Sequence, residues 1–127
     1  MLWQRNMVIF DTNMILRYLL NDNEVMAQKA EQYLRQSDVH VTIEVMAEVV
    51  YVMMRVYHLE RREAAETLLD FLPLVKCREM DALRLALKTF GGKKLDFVDC
   101  VLYAYHEVHG AEIATYDKKL RKLIEKA

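Results

Sequence analysis

Short strands alternating with helices from end to end predict an α/β fold, with a mainly parallel sheet covered by helices on both faces. Three observations carry that expectation. Brief β-branched runs such as Met7 to Phe10 punctuate the chain, and helical periodicity fills the stretches between them. Only three glycines and one proline interrupt 127 residues, which favours long helices joined by short connections.

Taken in order, Met7 to Phe10 reads as a buried first strand that ends at Asp11. A helix follows from Met14 to Leu20. Asn21-Asp22-Asn23 breaks it and supplies the cap of a second helix, whose apolar face is Val25, Met26, Ala30, Tyr33 and Leu34. Val39 to Thr42 reads as the second strand. A strongly apolar helix is expected over Glu44 to Tyr57, and another over Arg61 to Leu72, stopped by Pro73. Leu74 to Cys77 is a short third strand. Asp81 to Phe90 forms a helix closed by Gly91-Gly92. The basic loop Lys93-Lys94-Leu95 leads into a helix from Phe97 to His109, ended by Gly110. Glu112 to Thr115 is the last strand and Lys118 to Lys126 the last helix.

Composition sets the class. At 127 residues the chain fits one domain over 1–127, since compact domains commonly run to about 100–150 residues. A hydrophobic share of 54% with a net charge of −1 excludes disorder, which needs low hydrophobicity and high net charge. No apolar run approaches the roughly 20 residues of a membrane span. The opening Met-Leu-Trp-Gln-Arg-Asn lacks the architecture of a signal peptide, so a cytoplasmic protein is expected. Cys77 and Cys100 stand in apolar sequence without a CxxC pair, and read as packed thiols rather than a disulfide. The charge balance gives no global attraction to nucleic acid. Any phosphate-binding surface must be local, at Lys93-Lys94 or at Lys118, Lys119, Arg121 and Lys122.

The acidic residues are the chemically suggestive feature. Ligand sites of open parallel sheets lie outside the carboxyl ends of the strands. Asp11 follows the first predicted strand, Asp117 follows the last, and Asp99 sits in the first turn of the helix after the Gly-Gly loop. Each alone is explained as well by helix capping or the helix dipole, and Asp96 equally so. Glu48 is different, because it lies within the long middle helix on a polar stripe with Glu44 and Arg55. Periodicity leaves two orientations open for it, toward solvent or toward the strand ends.

At these positions the motifs resemble a known family. Ile9-Phe10-Asp11-Thr12-Asn13 resembles the opening strand of PIN-domain proteins, and Ala47-Glu48-Val49-Val50-Tyr51-Val52 their helix with an acidic ligand. Leu95-Asp96-Phe97-Val98-Asp99-Cys100-Val101-Leu102 is similar to their third acidic motif. Ala114-Thr115-Tyr116-Asp117-Lys118-Lys119-Leu120 is similar to the closing Thr-aromatic-Asp element. Each motif is weak alone; four in order span almost the whole chain. A lone domain of this length most resembles the VapC-type toxins of toxin–antitoxin pairs. Two departures stand out: the chain closes soon after the last predicted helix, where many relatives add a strand, and Cys100 stands where Ala is common.

The resemblance implies a three-layer α/β/α sandwich, often a homodimer, held inactive by a small antitoxin protein. It also implies divalent-metal-dependent endonucleolytic cleavage of RNA, leaving a 5′-phosphate and a 3′-hydroxyl. Asp11, Glu48, Asp99 and Asp117 become the expected catalytic and metal ligands, with Asn13 and Thr115 orienting their carboxylates. Asp96 is expected as a helix cap before a ligand, and the alternative for Thr12 or Asn13 is a turn residue only. Carboxylates crowded together need a hard cation, and Mg²⁺ suits them, with Mn²⁺ able to use the same ligands. No HExxH, His-x-His or Cys/His cluster favours zinc, so His40, His58, His106 and His109 read as surface or satisfied histidines. Lys93, Lys94 and Lys118 would line the approach of RNA. The alternatives are a receiver-like domain, a haloacid-dehalogenase phosphatase, which needs an acid at Asn13, and a PIN-like module that only binds RNA or protein.

Overall fold

The computed structural model describes residues 5–126, so Met1–Gln4, on which the signal-peptide reading partly rests, and Ala127 lie outside the described residues. Helices dominate. Strand β1 (Met7–Ile9) pairs in parallel with β2 (Asp38–His40), with Val8 opposite Val39. The crossover between them contains helices α1 (Thr12–Leu20) and α2 (Glu24–Gln36). Then follow α3 (Ile43–Arg55), α4 (Arg61–Phe71), α5 (Met80–Gly92), α6 (Phe97–His109) and α7 (Lys118–Lys126).

Local chemistry sets most boundaries. Asp11, Asn23 and Thr42 cap α1, α2 and α3 by accepting from Met14 N, Met26 N and Val45 N at 2.9, 3.1 and 3.2 Å. Helix α1 therefore starts at Thr12 rather than Met14. Asn21 and Gly110 close α1 and α6 in left-handed conformations, with φ of 50° and 68°.

The sheet is smaller than the sequence predicts. Leu72–Leu74 forms a 3₁₀ turn, because Pro73 fits a first helical turn and lacks the N–H of a ladder. What remains of the third strand is one parallel bridge between His40 and Lys76, with Val41 N to Lys76 O and Lys76 N to Val39 O both 2.9 Å. Glu112 to Thr115 forms no strand. Strand β1 is also less buried than expected. Its side chains alternate, so Val8 and Phe10 turn inward while Met7 and Ile9 remain 59% and 58% exposed.

The core runs through the helices. Phe10, Met46, Val49, Met53, Leu68, Leu83, Leu87 and Cys100 are fully or almost fully buried in one cluster. Gly91 does not close α5 but lies within it. A Cβ there would come 3.0 Å from Ala65 Cβ, so the glycine lets α5 approach α4 closely. Phe90 and Phe97 meet edge to face at 5.9 Å and join the end of α5 to the start of α6.

Candidate active site

Asp11 stands at the end of β1, and its carboxylate is occupied in part by capping α1. Thr12 opens α1 and donates its hydroxyl to Glu48 Oε1 across to α3. Glu48 is therefore tied to the residue beside Asp11, which decides the orientation that periodicity left open. Glu44, one turn earlier, looks elsewhere: its charge and that of Glu79 act on Cys77 and Tyr105.

Asp99 lies half-buried in the first turn of α6. Burial raises its carboxyl above the usual carboxylate range, and the charges of Asp117 and Asp96 raise it further. These three acids thus share one neighbourhood. Asp96 occupies the N-cap position of α6 but makes no side-chain capping bond, so the capping expected of it is not formed. Asp117 does cap, accepting from Leu120 N at 2.8 Å. Thr115 does not donate to a carboxylate; its hydroxyl accepts from Asp117 N at 3.0 Å, and Arg121 donates to its carbonyl at 2.8 Å. Next door, burial pushes the Cys100 thiol up to about 12 against the opposing charge of Arg61.

Thr12 ties Glu48 to the residue beside Asp11, and the charges of Asp117 and Asp96 reach Asp99. Among the described residues, no three His, Cys, Asp or Glu side chains come close enough to hold a metal ion. None of the five carboxylates has a basic partner in an ion pair among those residues, although Asp38, Asp22 and Glu79 do. Oxygen donors with uncompensated negative charge suit a hard divalent cation in type and charge. Three of the four histidines are occupied elsewhere: His40 contacts Asp38, His106 contacts Ala111 O and His109 contacts Glu79. Exposed Lys93, Lys94 and Lys118 lie in chain segments adjoining Asp96 and Asp117. A cavity of about 910 Å³ opens elsewhere, over Met7, Ile9, Val75 and Met80, and contains none of these acids.

Three features escaped the sequence reading. Thr12 is the link to Glu48, Arg121 braces the 115–117 turn, and Tyr116 beside Asp117 is 98% exposed. Spacing carries no signal for any of them, because each depends on where a turn or a neighbouring helix sits.

The family model for the PIN domain matches residues 8–126. No curated protein and no solved structure matches the chain. A mostly helical domain around a small parallel sheet agrees with the α/β/α fold of that family.

Proposed function

The chain belongs to the PIN domain family, a family of nuclease-type fold, and from that premise we propose that it is a Mg²⁺-dependent endoribonuclease. One observation carries the proposal: the charges of Asp117 and Asp96 reach half-buried Asp99, and none of the three forms an ion pair with a basic side chain among the described residues. Carboxylates kept in that state fold at a cost, and a bound cation relieves it.

Asp11, Glu48, Asp99 and Asp117 would hold the ion, Mg²⁺ or Mn²⁺. When bound, it supplies a water of lowered pKa and neutralises charge that develops on the phosphate oxygens. Thr12 holds the Glu48 carboxylate on the Asp11 side of α3. Thr115 supports the start of α7 through the Asp117 N–H, and Asn13, in the first turn of α1, would orient the neighbouring carboxylates. Lys93, Lys94 and Lys118 offer cations to RNA phosphates, and the product ends are a 5′-phosphate and a 3′-hydroxyl. The resemblance to VapC-type toxins extends the proposal to a cytoplasmic homodimer restrained by a small antitoxin. Among the described residues, no helix is long and apolar enough to cross a membrane.

Asp11→Asn and Asp99→Asn test this, with circular dichroism to establish folding. Each substitution, and chelation of the wild type, is expected to lower RNA cleavage by about 100-fold or more. Cleavage that survives both substitutions and chelation removes the metal-dependent reading. Specific RNA binding without cleavage, unchanged by chelator, would point to the binding module instead.

A further inference from the structure

Helix α5 ends in a turn that has to deliver α6, and Asp99 with it, to the acidic edge. The last carbonyls of a helix lack intrahelical partners. Here one side chain from another helix reaches one of them and two carbonyls of the turn that follows. Arg61, the first residue of α4, directs Nη1 at Phe90 O, Lys93 O and Leu95 O, at 3.3, 2.8 and 2.6 Å. Its guanidinium also lies 4.2 Å over the Phe90 ring.

Helix α5 packs along both α4 and α6, but hydrogen bonding within the turn itself is sparse. Among the described residues, one backbone bond lies within it, Leu95 N to Lys93 O at 3.0 Å. Asp96 caps nothing, so α6 begins without a side-chain cap. Phe97 packs edge to face on Phe90, and Leu95 is 8% exposed. A continuous chain of contacts therefore runs from Arg61 through the Phe90 ring to Phe97, two residues before Asp99. Lys93 and Lys94 meanwhile turn their side chains to solvent.

We propose that Arg61 is a positioning residue: by clamping the Phe90–Leu95 turn onto the start of α4, it fixes the first turn of α6 and so where Asp99 stands relative to Asp117. The role rests on the ribonuclease reading for its consequence, and on geometry alone for the clamp. Lysine cannot replace arginine here. An ammonium keeps the charge and can donate to carbonyls, but it lacks the planar face that lets the guanidinium stack on Phe90 while its Nη1 reaches the turn.

Arg61→Lys and Arg61→Met test the clamp in the full chain, the second retaining an aliphatic stem. Amide hydrogen exchange over residues 91–99 is expected to quicken by about tenfold or more in both variants, while α3 exchanges as in the wild type. Cleavage kcat is expected to fall about 10- to 100-fold with KM changed by less than about threefold, since a misplaced group costs turnover before substrate binding. Mn²⁺ titrated alone should bind several-fold more weakly. Exchange unchanged at 91–99, or raised equally through α3, overturns the clamp. Exchange raised locally with kcat and Mn²⁺ affinity intact overturns its role in presenting Asp99. A wild type that neither binds Mn²⁺ nor cleaves RNA defeats the ribonuclease reading alone, and the exchange rates still decide whether Arg61 holds the turn.

Discussion

At Asp99 two costs act on one carboxylate, partial burial and the like charges of Asp117 and Asp96, and both favour its neutral form. A residue kept there for folding alone would be better as Asn, which needs no counter-charge. Thr12 poses the opposite case, a small polar group that gains a partner. Its hydroxyl fixes the Glu48 carboxylate near Asp11. Thr12→Val keeps the shape and removes the donor, so cleavage is expected to drop about tenfold, within the range for groups that orient ligands. Thr12→Ser retains the donor and should stay near wild type. Equal activity in the Val and Ser variants, measured at matched folding, would show that the hydroxyl does nothing for the site.

Among the elements, α4 and α5 meet at Gly91, where a Cβ would stand 3.0 Å from Ala65 Cβ. Gly91→Val should lower stability by about 1–3 kcal/mol through overpacking, and adding Ala65→Gly should recover much of the loss in urea denaturation. No recovery would mean that the helices are not in register as described. The small sheet makes its own prediction. Lys76 bonds Asp38 at 2.9 Å and His40 contacts it at 3.1 Å, and together they hold its carboxyl below the usual range. A depressed carboxyl contributes stability above its unfolded pKa, and that stability is lost as pH falls through the folded pKa. Asp38→Asn should thus melt below the wild type at pH 7, with the gap closing as pH falls from about 4. A gap independent of pH contradicts the pairing. Legibility in the sequence divides along the same lines. Helices α2 and α6 are legible because apolar spacing and the caps Asn23 and Gly110 agree on them, and α3 by apolar spacing alone, since Thr42 reads as the end of the second strand yet caps the helix. The third strand is not legible, because Pro73 turns Leu72–Leu74 into a 3₁₀ turn, and a strand needs a neighbour that Glu112 to Thr115 does not find.

For the whole molecule, a net charge of −1 conceals a division of charge. Lysines crowd α7 and the α5–α6 turn, while unpaired carboxylates gather at the starts of α1, α6 and α7 and on α3. The order of the acids along the chain was legible through the four motifs. Their grouping was not, because it depends on Thr12 reaching α3 and on the placing of α6 beside α7. Among the described residues no three acids stand close enough to hold a metal ion, so the proposed cation would draw on acids from several elements. Calorimetric titration with Mn²⁺ measures that directly, without any choice of RNA. Saturable binding by the wild type, weakened about 10-fold or more in both Asp11→Asn and Asp99→Asn, is the result the account predicts. Absence of binding, or equal binding by all three proteins, would contradict it.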